Sequence, residues 1–306
     1  PQASGFGSES GSQQPPPLPS SSGAKPQNRF KVGKTALATA VGNLAPEQIS
    51  RARDQIQQLP PAIQQAKRDS GAARAVILAL VFDRDPTSLL KQMNAVRQGA
   101  APETANALQN LSVEVRKLPG TLRLPVLEMM IPVLYHLPPA EYENFLEVLQ
   151  QCIASDQKTD FWEFVLLRLI RRQVEPRLYR KSVDRAEIRY KTAASIQPQA
   201  AVLFNFLVRQ CHPQKEQQKA LFQETQFGEA GWPDLPWMED SELDLASLEK
   251  ALDALAHASF PLRKMILEIC REVVSADEEV TAEEMESLRL LSISLDCPLG
   301  EVQPSS

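Results

Sequence analysis

The sequence predicts an all-α protein, a multi-helix bundle built partly from two similar helix–turn–helix hairpins. Three observations predict it. Apolar residues recur at helical spacing through most of the chain, and no segment shows a period-two alternation that competes with it. Aromatic residues make up only 6% and glycines number 12 in 306 residues, a composition that favours helices over sheets. Residues 145–170 and 266–291 are also alike, with 7 of 26 aligned positions identical at an offset of 121. Phe145, Val148, Leu149, Cys152 and Ile153 form an apolar stripe in the first copy, and Ile266, Ile269, Cys270, Val273 and Val274 form it in the second.

Residues 1–28 hold Ser, Gly, Gln and Pro with almost nothing apolar, so they cannot offset the entropy of ordering and read as a disordered linker. Positions 15–19 suit polyproline II, and without a flanking basic anchor they read as spacer rather than as a ligand motif. A first helical domain is expected over 29–192. Within it 46–58 carries Ile49, Ala52 and Ile56, 61–68 is short, and 71–82 (GAARAVILALVF) is the most apolar stretch and the expected centre of the first core. Asp85-Pro86 opens a helix over 86–98, and Pro102 opens another to about 118. Segment 121–136 contains Arg123, Pro125, Glu128 and Pro132, so it reads as a broken buried helix rather than a membrane span. It leads into the first hairpin, 139–174.

A second helical domain is expected over 193–306. It opens with helices near 198–210 and 214–223, followed by a long acidic loop over 225–244 that contains Trp232 and Trp237. A helix over 245–257 and the second hairpin, 261–295, complete it. The prolines punctuate this pattern: Pro46, Pro86, Pro102, Pro139 and Pro261 each stand where a helix should begin. Each hairpin turn offers a helix-start signal, Asp160-x-x-Glu163 after Asp156 and Thr281-x-x-Glu284 after Asp277, in which side chains satisfy orphan backbone N–H groups.

The turn at 275–284 is acidic enough to test as a Ca²⁺ loop. Val280 and Thr281 occupy positions 4 and 5 of such a loop, where an acidic or amide ligand is wanted at position 5, the glycine is missing, and Glu284 falls at position 8 rather than 12, so capping is the preferred account. A zinc hydrolase needs two His one helical turn apart with a nearby carboxylate, whereas His136, His212 and His257 are scattered. Cys211-His212 sets two ligand types side by side, but adjacent side chains diverge on a helix. The four cysteines include no Cys-x-x-Cys pair and read as reduced core residues. No phosphate loop or nucleophile elbow is present. The net charge of −5 argues against a general nucleic-acid binder.

Two surfaces remain as candidates for interaction. Nine Lys and Arg fall within 168–191, among them Arg171, Arg172, Arg177, Arg180, Lys181 and Arg185. They either meet anionic headgroups or pair with the acidic stretches 224–249 and 268–286 inside the fold. Trp232 and Trp237 either cover a ligand or pin their loop to the core.

The segments VGNLAPEQISRARDQIQQLPPAIQQAKRDSGAARAVILALVF (41–82), EYENFLEVLQQCIASDQKTDFWEFVLLRLIRR (141–172) and KMILEICREVVSADEEVTAEEMESLRLLSISLDCPL (264–299) resemble the C-terminal extension of bacterial HtpX-like membrane zinc metallopeptidases. The hairpins are also similar to the TerB-type helical module. The resemblance implies a membrane-embedded zincin domain, a spacer like 1–28, and then this helical region as the cytoplasm-facing part of an inner-membrane protein. The start at Pro1, in low-complexity sequence with no initiator Met and no signal peptide, reads as a piece of something longer. The family's His-Glu-x-x-His and its downstream Glu have no counterpart here, so no catalytic or zinc residue carries over. The chain itself is expected to be non-catalytic and without a cofactor, with zinc in the peptidase domain. Its partners would be that domain, substrate proteins and an anionic membrane surface, with no nucleic acid. The alternative is an independent TerB-like or solenoid-type scaffold that binds a protein or membrane surface.

Overall fold

The computed structural model describes residues 29–31, 59–156, 161–179, 187–212, 214–225, 227, 232, 234–276 and 279–297. They form an all-α bundle of twelve α-helices. These are α1 (Pro61–Ala66), α2 (Ser70–Leu80), α3 (Pro86–Gly99), α4 (Pro102–Arg116), α5 (Gly120–Leu134) and α6 (Pro139–Ile153), followed by α7 (Phe161–Leu178), α8 (Gln197–Cys211), α9 (Lys215–Glu224), α10 (Leu245–Ala256), α11 (Phe260–Val274) and α12 (Ala282–Ser294). The linker expected over 1–28 and the helix expected over 46–58 lie outside the described residues.

Local chemistry starts these helices where the sequence places them. The Asp69 carboxylate accepts from Ala72 N at 2.7 Å, that of Asp85 from Ser88 N at 2.8 Å, and that of Asp244 from Ser247 N at 2.6 Å, which caps α2, α3 and α10. Pro86, Pro102, Pro139 and Pro261 all stand in the first turn of a helix, where a missing N–H costs nothing. The expectation of a broken helix at 121–136 is corrected. Helix α5 runs through Pro125 and Pro132, because Val126, Leu127, Met130, Ile131 and Leu134 are all fully buried and hold it against its neighbours. Burial on that scale outweighs the backbone bonds that the two prolines remove.

One short ladder interrupts the helical rule. Strand β1 (Arg29–Lys31) pairs antiparallel with β2 (Glu279–Thr281), with Phe30 opposite Val280. Three residues are too few to carry a period-two signal, so the sequence reading finds no strand here.

Helix α2 lies at the centre of the first half and packs against α4 and α5, with α1 and α6 at its edges. It is apolar on every side: all positions from Ala73 to Leu80 are buried. Gly71 permits the approach of α4, since a Cβ there would sit 2.7 Å from Glu103 Cγ and 3.2 Å from the Glu103 carbonyl carbon. The charged exception is Arg74, 2% exposed, which donates to Ser70 O and pairs with Glu103 at 2.9 Å and Glu141 at 3.4 Å. Gln92 of α3, also 2% exposed, makes the second polar tie. Its Oε1 accepts from Asp83 N at 2.8 Å, and its Nε2 donates to Val81 O at 2.9 Å and Cys152 O at 3.2 Å. One amide thereby joins the end of α2, the middle of α3 and the end of α6.

In the second half α8 takes the central place, against α9, α10 and α11. Helix α12 packs on α11 and also on α5 and α7, so residues on both sides of position 192 contribute to one contiguous apolar core. In the two hairpins α6 and α11 run over 139–153 and 260–274, an offset of 121, whereas α7 ends at 178 and α12 at 294, which is not the same offset. Their turns differ, being a 3₁₀ turn that ends at Asp156 in the first and β2 in the second. The second turn carries the capping box in full. Glu284 N donates to Thr281 Oγ1 at 3.1 Å, and Thr281 N donates to Glu284 Oε2 at 2.7 Å. In the first hairpin Glu163 is 8% exposed, while Asp160, like Asp277 of the second, lies outside the described residues.

Two stability measurements check these assignments. Gln92→Leu leaves one buried donor and two acceptors without their partner, so urea unfolding should show a loss of about 3 kcal/mol with little change in m-value. A loss well under 1 kcal/mol would mean that the amide is not a structural tie. Thr281→Ala should lose about 1 kcal/mol and Thr281→Ser much less, because only the hydroxyl caps α12.

Candidate functional site

The basic stretch after the first hairpin divides once the helices are in place. Arg168, 7% exposed, pairs with Asp253 of α10 at 2.6 Å and donates to Glu249 O at 3.5 Å. The half-buried Arg172 donates to Ser294 O, and Arg263 of α11 donates to Leu295 O at 2.8 Å and to Asp296 O at 3.0 Å. Three guanidinium groups thus converge on α10 and the C-terminal end of α12, where the helix carbonyls carry partial negative charge. Asp296, at φ 49°, turns the chain just beyond that end. Burial lowers the Arg172 pKa, and repulsion from Arg168 adds to the effect.

Arg177 is exposed but lies with its guanidinium 4.1 Å from the centre of the Tyr135 ring. Arg171 is partly buried on the same helix. Arg180, Lys181 and Arg185 lie outside the described residues. The basic side chains at the interface between α7 and the second half are therefore held within the fold. Their acceptors are the Asp253 carboxylate, the Glu249 backbone carbonyl and carbonyls at the end of α12, and no carboxylate of 224–249 or 268–286 is among those described for Arg168, Arg172 and Arg263. Three acids of 224–249 are engaged elsewhere: Asp240 pairs with Arg209 at 2.8 Å and Lys215 at 3.2 Å, and Glu239 with Glu242 forms a second capping box. The Arg209 hydrogen bond holds the Asp240 carboxyl below its ordinary range.

The two tryptophans of the acidic loop occupy different depths. Trp232 is 0% exposed, and its Nε1 donates to Ala193 O. Its ring meets Phe204 edge-on at 5.7 Å. Trp237 is partly buried between Phe222, at 5.4 Å, and the Arg209 guanidinium, at 4.1 Å. Phe227 closes the cluster against Phe204 and Phe222. As a candidate contact surface, Trp232 is corrected. It anchors the loop to α8 because its large ring is worth most when fully removed from water.

The groups best suited to chemistry are likewise enclosed. Cys152, Cys211, Cys270 and Cys297 are free and buried. Burial, followed by the nearby Glu163 charge, pushes the Cys152 thiol up to about 12, and burial raises the Cys270 and Cys297 thiols as well. His212, 3% exposed, lies with Nε2 3.0 Å from Val273 O, and its carbonyl accepts from Gln218 at 2.7 Å. Among the described residues no group of three or more His, Cys, Asp and Glu is placed to hold a metal. Nor is any described helix long and apolar enough to cross a membrane.

One open concavity among the described residues is not announced by the sequence. A groove of 660 Å³ lies between the α1–α2 turn and the corner where α5 gives way to α6. Met129, Pro132, Val133 and Leu137 line its floor, with Lys67, Arg68, His136 and Glu141 around it. Its lining comes from segments more than 50 positions apart, so no local pattern announces it. A smaller hollow of 360 Å³ between the ends of α9 and α11 is lined by Glu224, Arg271 and Glu272.

No family model, no curated protein and no solved structure matches this chain.

The raised thiols make a pH test possible. Below about pH 8.5, the ordinary thiol value, folded and unfolded chains both keep the proton and the stability is fully present. Above it the unfolded chain releases protons first, so stability should fall by up to about 1.4 kcal/mol per pH unit for each buried thiol until the folded-state value is reached. Urea midpoints between about pH 8.5 and 10 should show this fall, and Cys152→Ala should make it shallower by one thiol's share. A flat wild-type profile would contradict the enclosure of these thiols.

Proposed function

We propose that this chain is the non-catalytic interaction region of a membrane-bound zinc metallopeptidase, a helical body that docks polypeptide while hydrolysis belongs to a separate zincin domain. The groove between the α1–α2 turn and the α5–α6 corner carries the reading. An apolar floor beside charged side chains, open along one side of the bundle, suits a segment of another protein. Its walls are helices tied by Arg74 and Gln92, so the shape is ready before a partner arrives and little ordering cost is left for binding.

The resemblance of 41–82, 141–172 and 264–299 to the extension of HtpX-like enzymes supplies the enzymatic context. In that context the partners are the chain's own peptidase domain and its protein substrates. Zinc sits in that domain, and the whole faces the cytoplasm beside an anionic inner-membrane surface. A second reading has its own support: the recurrence of the α6 boundaries in α11 at the 121-residue offset favours an independent scaffold of TerB-like hairpins, with no protease attached.

The full-length polypeptide decides between them. Its sequence upstream of Pro1 should carry apolar spans and a His-Glu-x-x-His motif, and the protein purified from membranes should contain about one zinc and cleave casein in a chelator-sensitive manner. A zinc-free full-length protein with no such motif would overturn the peptidase reading and leave the scaffold.

A further inference from the structure

We propose that the same groove takes an acidic amphipathic segment of a partner protein, with apolar side chains on the floor and carboxylates against Lys67 and Arg68. This inference rests on the reading of the chain as an interaction region and names the chemistry of its partner. Lys67 and Arg68 are both exposed at the turn between α1 and α2, and neither has an ion-pair partner among the described residues. The chain as a whole carries a net charge of −5, so two unpaired cations beside an apolar floor stand against the average character of the molecule.

Two acids lie in the same region, Asp69 in the turn and Glu141 among the groove's lining residues, and each has a partner within the fold. The Asp69 carboxylate accepts from Ala72 N, and Glu141 pairs with the buried guanidinium of Arg74. The floor supplies the rest of the recognition. Met129 is an unbranched side chain that adapts to varied apolar surfaces, and Pro132 presents an exposed apolar ring. A small inorganic anion would leave this floor uncovered. A bilayer would have to follow a concave surface, whereas a polypeptide ridge fills it.

The test uses the intact 306-residue chain and two synthetic helical peptides of identical apolar pattern, one with Glu and one with Lys at the polar positions. Fluorescence anisotropy should show the acidic peptide binding about tenfold more tightly at low salt, with the difference shrinking as ionic strength rises. The double variant Lys67→Glu/Arg68→Glu should abolish the preference. Pro132→Glu should weaken the acidic peptide; the double variant should melt like wild type because Lys67 and Arg68 are exposed, and Pro132→Glu should melt no lower than wild type because it restores a backbone N–H inside α5.

Equal affinity of the two peptides would overturn the charge assignment and leave the groove as a docking site. Binding of neither, or binding that all the variants leave unchanged, would remove the groove altogether. Co-sedimentation with anionic vesicles that the double variant abolishes, in the absence of peptide binding, would replace the protein partner with a membrane surface. None of these outcomes bears on zinc in the full-length protein, so the peptidase reading stands or falls separately.

Discussion

The buried guanidinium of Arg74 is the constraint on which the first half of the molecule depends. A helix apolar on all sides can lie at the centre of a bundle, but a charge within it must be neutralised where it sits, since desolvating an unpaired ion costs several kcal/mol. Arg74 is neutralised from two directions, by Glu103 of α4 and Glu141 of α6, each reaching inward from a solvent-facing position. That arrangement sets where α4 and α6 begin relative to α2. Gly71 lets α4 come close enough for the pair to form, and Gln92 holds the opposite end of α6 beside the end of α2.

The second half is joined to the first by the same means in a different geometry. Arg168, Arg172 and Arg263 meet Asp253 and the last carbonyls of α12, a helix that already packs its apolar side chains on α5 and α7. Guanidinium groups suit this position because their several donors satisfy carbonyls that the helix end leaves open. Burial first, and then repulsion from Arg168 and Arg263, lower the Arg172 pKa, and those acceptors offset both. A basic stretch that looks like a surface for anionic partners thus becomes, along α7, the link between two sets of helices.

The side chains most capable of reaction follow the same logic. Thiols at Cys152 and Cys270 lie inside helix stripes, His212 is bonded to backbone, and Trp232 is locked against Ala193. Such groups add to a rigid interior and leave recognition to the surface. The groove beside Lys67 and Arg68 is where that surface offers both shape and charge.

Helix positions were legible in the sequence because their causes are local. Asp69, Asp85, Asp244 and Thr281 cap within three residues, first-turn prolines mark their own helices, and apolar stripes repeat within a few turns. Where a cause is not local, the sequence was silent or pointed elsewhere. Pro125 and Pro132 look like breaks because their cost is visible nearby, while the burial that outweighs it comes from distant helices. The β1–β2 ladder joins residues some 250 positions apart through three residues a strand. The acceptors of the α7 arginines, the depth of Trp232 and the groove itself depend on which faces meet, and long-range packing alone decides that. The sequence by itself determined an all-α chain and most of its helix boundaries, since capping and periodicity act over one or two turns. Only the tertiary structure decided which charges are buried in pairs and which stay exposed among the described residues, because that depends on contacts between segments that no local pattern connects.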